Sequence, residues 1–370
     1  TVNTIWYKGI LMKKFKILHV VMAKVWGGGE QYVYDVSKEM QRQGHSVFVL
    51  VDKSNCLLQQ RYAEVATVVT ANLYCAAGLF SVNRIKNEIL NNNIDIINCH
   101  SGHGVIFCLV LKFLTGRKMI LFKHNALPAK HDLYHQWLRK NTDAVICVSK
   151  LVWKLQTEGL NENEKKKFYL VYNGIDLEKF NKYSNLHKAG AEFVIGYAGR
   201  LAPNKGIDIL INSFALLHAK YKNTRLKIVG ADENGYLNQL CDLVNKLGLN
   251  KVVCYGGVEK DMEKFYKSLD VFVLPSVVRE AFGLVLCEAM YCGVPVVTTN
   301  SGAQEEIIEN GQDGIIVSAG DVEKLFEKLK ILYMNLELRK AVAFNGKKKV
   351  LKNFDIKYCT GKLLIHYQEI

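Results

Sequence analysis

Two carboxylates stand eight residues apart in Arg279-Glu280-Ala281-Phe282-Gly283-Leu284-Val285-Leu286-Cys287-Glu288. Glycine marks a turn into a helix, and Glu288 then falls among Val285, Leu286, Cys287, Ala289 and Met290. A carboxylate in such apolar company costs on the order of several kcal/mol unless it is paired or hydrogen-bonded. Sugar hydroxyls are suitable donors, because one carboxylate can bridge a vicinal diol. The amides of Phe282, Gly283 and Leu284 lie at the helix start, where a phosphate is favoured. The local alternative is that Glu280 merely answers the helix dipole and Glu288 closes an internal ion pair. A second cluster is Gly196-Tyr197-Ala198-Gly199-Arg200-Leu201-Ala202-Pro203-Asn204-Lys205-Gly206. Two cations flanking a tight loop before a helix suit a diphosphate, Arg200 by its planar fork and Lys205 as a point charge. The alternative is a basic turn before an ordinary helix.

Three further groups carry weaker signals. Gly27-Gly28-Gly29-Glu30 follows the first apolar run but completes neither a G-x-G-x-x-G fingerprint nor a P-loop. It reads as a turn at positive φ whose backbone can come close to a ligand. His100 and His124 each end an apolar run, either as loop histidines satisfied by hydrogen bonds or as groups facing a ligand. His131-Asp132-Leu133-Tyr134-His135 places two histidines on one helical face, as zinc proteases do. It has aspartate where those have glutamate and no third ligand in view, so it reads as a solvated face.

The elements that must position these groups alternate. Apolar runs at 16–22, 45–51, 94–99, 118–122, 144–148 and 168–171, with a helical period over 30–43, predict a βαβ series. The series restarts with strands at 193–198, 226–229, 252–255, 271–274 and 294–298. Helices are predicted at 207–220, 237–247, 262–268 and 283–291. The stretch 172–190, rich in Asn, Lys and Gly, reads as the linker. The predicted fold is α/β, with two doubly wound Rossmann-like domains facing a cleft. The first spans 12–174 and the second 175–355, and an amphipathic segment at 356–370 packs back on the first. Ligands in such sheets bind beyond the carboxyl ends of the strands.

Composition agrees with a folded chain of two domains: 370 residues, 49% hydrophobic, with only 4 Pro. The 10 Cys form no C-x-x-C pair, which points to free thiols in a reducing cytosol and away from zinc. No apolar run approaches the ~20 residues that span a bilayer. The stretch from Met12 has the outline of a signal peptide, but His19 and Lys24 interrupt it, so a buried strand is the better reading. Met12 reads as a natural start, and 1–11 as an upstream extension or a cloning scar. The net charge of +14 is uneven: residues 12–174 carry 22 Lys/Arg against 12 Asp/Glu, and 175–370 carry 26 against 23. The basic first half implies either an anionic partner or a generic solvated surface.

With these motifs the chain resembles the GT-B retaining glycosyltransferases, specifically glycosyltransferase family 4, from about Lys16 to the C-terminus. Gly27–Glu30 as a glycine turn, Asn173-Gly174-Ile175-Asp176, the Arg200/Lys205 loop, the Glu280…Glu288 pair, Ser301-Gly302-Ala303-Gln304-Glu305 and Gly311-Gln312-Asp313-Gly314 carry the resemblance. Ser301 stands where that family usually has glycine, and Lys123 and Asn125 differ from the commoner surroundings of the histidine. The resemblance implies that Arg200 and Lys205 hold the donor diphosphate and Glu288 the ribose. Glu280 and the backbone at Phe282, Gly283 and Leu284 would hold the donor sugar. Gly28 and Gly29 would approach the phosphate, and His124 would face the reacting sugar. It implies a UDP-, GDP- or ADP-sugar as co-substrate and no separate cofactor. No Asp-x-Asp occurs, so no metal clamp is expected.

The expected reaction is retaining transfer to a glycan or lipid-linked acceptor in bacterial lipopolysaccharide, capsule or related glycan synthesis. The expected setting is the cytoplasm, peripheral on the inner face of an anionic membrane. A nucleotide-sugar 2-epimerase on the same fold is the first rival. A nucleotide-dependent dehydrogenase lacks the full dinucleotide fingerprint. A nucleic-acid binder is suggested by charge alone, with no aromatic–basic recognition motif, so no nucleic acid is expected.

Overall fold

Two runs of parallel strands account for the apolar segments. In this computed structural model, residues 13–73, 78–183 and 192–370 are described. The chain divides into one unit that ends at Gly174 and takes in Ile356–Ile370, and a second that spans Ile175–Asp355. Met12 and the residues before it lie outside the described residues.

In the first unit the strands are β1 (Lys16–Val21), β2 (Ser46–Asp52), β3 (Thr67–Ala71), β4 (Ile96–Cys99), β5 (Lys118–Lys123), β6 (Ala144–Cys147) and β7 (Phe168–Leu170). They form a sheet in the order β3-β2-β1-β4-β5-β6-β7, all parallel. Strands covered on both faces read as continuous apolar runs, and β1 is buried from Ile17 to Val21, His19 included. The terminal helix Ile356–Glu369 packs against helix Gly28–Arg42 within this unit.

The second unit contains β8 (Phe193–Ala198), β9 (Thr224–Val229), β10 (Val253–Tyr255), β11 (Val271–Leu274), β12 (Val296–Thr299) and β13 (Ile315–Val317). Their order is β10-β9-β8-β11-β12-β13, again parallel. Sequence reading omitted β3 and β13. Each is short, and each lies at an edge where one neighbour rather than a long apolar run defines it.

The stretch read as a linker is largely structured. Ile175 bridges Asp355, Asp176 caps a 3₁₀ turn over Leu177–Phe180, and Phe180 is buried against Tyr266 and Tyr291. Residues 184–190 of that stretch lie outside the described residues. The strand order reverses between β1 and β4 in the first sheet, and between β8 and β11 in the second. At such a reversal the loops leave on opposite faces and open a crevice at the strands' carboxyl ends.

Candidate active site

The second sheet's reversal point carries the charged groups. Arg200 follows β8, and the loop after it reaches Lys205 before helix Ile207–Lys220. Glu280 follows β11 and precedes helix Leu284–Tyr291. Lys205 Nζ donates to Glu280 Oε1 at 2.5 Å, and Ser276 Oγ donates to the same oxygen at 2.5 Å. The pair is part-buried, so its attraction is screened less than that of a surface pair.

Two close approaches hold the loops in register. Gly206 sits at φ +66, and a Cβ there would lie 2.2 Å from the Pro275 carbonyl oxygen. The amide of Val277 donates to Asn204 O at 3.2 Å and ties the same two segments. A Cβ on Gly302 would lie 2.4 Å from both the amide nitrogen and the carbonyl oxygen of Glu280, while Ala303 N donates to that carbonyl at 2.9 Å. The 301–303 loop therefore braces Glu280 from β12.

Helix Leu284–Tyr291 starts at Gly283, which is at φ +113. Phe282 turns its ring inward against Phe354 at 5.6 Å, which leaves its backbone as the part a ligand could meet. First-turn amides have no carbonyl four residues back, so they remain oriented outward as donors. Glu288 lies on this helix among the apolar neighbours seen in the sequence, and its carboxylate accepts from the buried Tyr266 hydroxyl at 2.7 Å. Burial, reinforced by that carboxylate, pushes the Tyr266 hydroxyl far up. It stays protonated and donating.

Arg200 differs from Lys205. It is exposed, and its Nη1 contacts both oxygens of Glu233 at 2.9 and 3.0 Å. A depression lined by Arg200, Pro203, Asn204, Glu233, Tyr236 and Gln239 opens there. The two cations of the loop are thus held by different carboxylates, an arrangement that sequence reading did not anticipate.

In the first unit the corresponding edge is built differently, with imidazoles beside Glu30 and Lys123. Helix Gly28–Arg42 begins after Gly27, whose φ of −144 is extended, so the expected positive-φ turn is absent. The turn is closed instead by Glu30 Oε2, which accepts from Gly27 N at 2.9 Å. A Cβ on Gly28 would meet nothing within 4 Å, and one on Gly29 would reach only His124 Cγ at 4.0 Å. This first turn is therefore open to an incoming group.

His124, just past β5, begins a chain of imidazoles. His124 Nε2 lies 3.0 Å from His100 Nδ1, and His100 Nε2 lies 2.8 Å from His19 Nδ1. Asn98 Nδ2 approaches His19 Nδ1 at 3.4 Å and donates to the Tyr367 hydroxyl at 2.6 Å. Parallel registry produces this alignment, since His19 pairs with Asn98 across β1 and β4, and Asn98 with Ile120 across β4 and β5. Burial lowers His19 to about 3 and His124 to about 4. Burial and the two flanking histidines lower His100 well below its usual range. All three are neutral at pH 7. Each then carries one N–H, so the chain runs in a single direction. His124 Nδ1 ends it as a buried atom with no partner among the described residues.

His100 and His124, considered separately in the sequence, are in contact. His19 was legible only as a polar residue interrupting an apolar run. The His131/His135 pair is explained locally: Asp132 caps helix Leu133–Asn141 and holds His135 Nδ1 at 2.7 Å.

A model of the family described as glycosyl transferases group 1 matches residues 159–349, more than half of the chain. The chain belongs to this glycosyl transferase family. A second model, glycosyltransferase family 4, matches residues 26–179. The capsular polysaccharide biosynthesis glycosyltransferase CapM of Staphylococcus aureus is 35% identical over 58% of this chain and 58% of its own length. An uncharacterized 41.2 kDa protein in the cps region of Klebsiella pneumoniae is 30% identical over 69% of this chain and 74% of its own. Among solved structures, Anabaena HepE in complex with UDP and glucose superposes with a TM-score of 0.82 at 20% identity. That match covers 96% of this chain and 100% of HepE. The likeness is one of fold, and it identifies the two sheets of this glycosyltransferase as the GT-B arrangement of Rossmann-like units.

Proposed function

We propose that the enzyme moves a sugar, with retention at the anomeric carbon and without a metal, from a nucleotide-sugar donor to a glycan or lipid-linked acceptor. The observation that carries this reading is the Lys205–Glu280–Ser276 cluster, placed at the reversal of the second sheet beside the first turn of helix Leu284–Tyr291. In the reaction the bond from the anomeric carbon to the diphosphate oxygen breaks, and its electron pair stays with the diphosphate. The acceptor hydroxyl oxygen forms the new bond on the same face, and its proton passes to the departing diphosphate. Lys205, Arg200 and the amides of Phe282, Gly283 and Leu284 would stabilise the charge that grows on the leaving group. Glu280 would orient Lys205 and accept from the donor sugar. Glu288 would accept from a ribose hydroxyl, with Tyr266 setting its position. Gly28 and Gly29 leave room for phosphate, and neutral His124 would hydrogen-bond a sugar hydroxyl.

HepE is solved with UDP and glucose, and CapM is named for capsular polysaccharide synthesis. The first supports a UDP-sugar ahead of GDP- or ADP-sugars, and the second a role in capsule, lipopolysaccharide or related glycan assembly. Among the described residues no helix is long and apolar enough to cross a membrane. The basic surplus of residues 12–174 favours a cytoplasmic enzyme resting on an anionic leaflet.

A thermal-shift screen against UDP-, GDP-, ADP- and CMP-sugars tests the donor, since a native-state ligand raises stability by mass action. Stabilisation by a UDP-sugar, followed by NMR of the product showing the donor's anomeric configuration, is the expected result. No stabilisation by any of the four, or an inverted product, would reject the reading.

A further inference from the structure

The imidazole row of the first unit has two unlike ends. At the inner end Asn98 Nδ2 donates to the Tyr367 hydroxyl of the terminal helix at 2.6 Å and faces His19 Nδ1 at 3.4 Å. At the outer end His124 Nδ1 is buried with no partner among the described residues. Between them His19 Nδ1 meets His100 Nε2 at 2.8 Å, and His100 Nδ1 meets His124 Nε2 at 3.0 Å. Burial keeps all three rings neutral. A neutral imidazole has one N–H and one lone pair, so each contact has one donor and one acceptor. Placing the proton on any one ring therefore places it on all three. It also decides whether His124 Nδ1 offers a ligand an N–H or a lone pair.

Both ends select the same direction. An amide N–H of Asn98 faces His19 Nδ1, and a proton on that nitrogen would set two donors against each other. His19 Nδ1 is therefore the acceptor, and His100 donates to it from Nε2. His100 Nδ1 is then bare and accepts from His124 Nε2, which leaves His124 Nδ1 with its lone pair. At the outer end His124 Cγ, the atom bonded to Nδ1, lies 4.0 Å from where a Cβ on Gly29 would stand, in the first turn of helix Gly28–Arg42. Partial positive charge collects at a helix start and favours a lone pair over an N–H beside it. His19 Nε2 is unfilled among the described residues whichever way the row points. Aromatic packing keeps the rings in line, with Phe122 4.4 Å from His100 and Tyr32 5.3 Å from His124.

We propose that His19 and His100 are positioning residues that hold His124 in its Nε2–H form, so that its bare Nδ1 accepts a hydrogen bond and selects a ligand group able to donate one. The proposal rests on the reading of His124 as facing a sugar, and adds the direction of that bond and what sets it. A sugar hydroxyl meets the requirement. A carboxylate or a fluorine in its place brings only lone pairs and is disfavoured.

The test uses the full chain and has two arms. In the first, nitrogen-15 NMR of histidine-labelled, ligand-free protein at neutral pH, assigned by single substitutions, reads which ring nitrogen carries the proton. His19, His100 and His124 should each be protonated at Nε2 and bare at Nδ1. In His19→Leu, where His100 loses its acceptor, the His124 nitrogens should move toward values averaged over both forms, although position 19 is two rings away. A wild-type His124 protonated at Nδ1, or one whose signature ignores His19→Leu, would overturn the proposal. The wild-type spectra decide the direction even if His19→Leu fails to fold. In the second arm, calorimetry compares UDP-glucose with its singly deoxyfluorinated derivatives, in which fluorine cannot donate. One derivative should bind about tenfold more weakly, the worth of a lost hydrogen bond that leaves a buried acceptor unfilled. That penalty should shrink in His124→Ala and in His19→Leu. A penalty that shrinks in the first variant and not in the second would overturn the positioning role. Absence of any His124-dependent penalty would overturn the reading that His124 faces the sugar, while the NMR arm still decides the direction of the row.

Discussion

At the reversal of the second sheet the polar groups are charged and paired, Lys205 with Glu280 and Arg200 with Glu233. At the reversal of the first a row of three imidazoles is kept unprotonated by burial, and Glu30 is turned back onto its own helix start. The strand order around each reversal is the same, so the contrast comes from the side chains placed there, His19 within β1 and the others in the connecting loops. A charged edge suits an anionic group whose charge changes during reaction. Neutral imidazoles can bond hydroxyls in either direction and add no net charge. The contrast is the division of labour expected when one unit holds a diphosphate and the other faces sugar hydroxyls.

Acid should disturb the first edge most. His19 and His124 have folded pKa values of about 3 and about 4, below an unfolded value of about 6.5. The folded state therefore binds fewer protons than the unfolded one in this window. Their contribution to stability is complete above pH ~6.5 and is lost as pH falls toward those lower values. Each lowered unit corresponds to about 1.4 kcal/mol, so the loss by pH 4 is on the order of several kcal/mol. Hydrogen-exchange protection of β1 and β4 should collapse between pH 7 and pH 4, and His19→Leu should flatten the dependence. Equal acid sensitivity in that variant would show that the imidazole row is not what titrates.

Lys205→Ala strikes the charged edge. On the proposed reading it removes a cation from the leaving diphosphate, an effect typically worth about 10²–10³ in kcat. Arg200→Ala should cost less, because Arg200 is exposed and already engaged by Glu233, and Glu305→Ala less than either. Steady-state kinetics would order the three. A ranking with Glu305→Ala at the top would mean that the diphosphate binds elsewhere.

Glu288→Ala should weaken nucleotide binding by about 1.5–3 kcal/mol, the usual worth of a charged hydrogen bond. Tyr266→Phe should weaken it by roughly 0.5–1.5 kcal/mol, because it removes only the hydroxyl that holds the carboxylate. Calorimetry with the nucleoside diphosphate measures both, and unchanged affinity in Glu288→Ala would remove that residue from the ribose role.

How much of this was legible depends on where each partner comes from. Glu280 and Lys205 announce themselves because each is a charge in a short glycine-bearing loop between an apolar run and a helix. Their mutual contact spans 75 residues of chain and appears only once β8 and β11 are neighbours. Ser276 and Gly302 are ordinary loop residues until that pairing makes one a donor to Glu280 and the other the surface on which its backbone rests. His19 is concealed by the rule that locates its strand, since a buried β1 is recognised by its apolar neighbours. Glycine types alone also misled: Gly27, Gly28 and Gly29 promised a positive-φ turn, whereas the Glu30 side chain closes an extended one.

The smallest expected effect concerns metals. A divalent ion in a glycosyl transfer site neutralises the departing diphosphate, and a protein without one must supply that charge itself. This chain has no Asp-x-Asp sequence to hold such an ion. At the second sheet's reversal Lys205 is already oriented by Glu280 and Ser276, and the first turn of helix Leu284–Tyr291 adds amide donors. Preorganised donors need no ion to be recruited before the bond breaks. Initial rates should therefore be unchanged within error after treatment with EDTA, and added Mg²⁺ or Mn²⁺ should not raise them. A rate that collapses on chelation and returns with either ion would show that Lys205 and the helix start are insufficient. The charged edge would then be half of a site completed by a cation, and its contrast with the imidazole row would have to be redrawn around that ion.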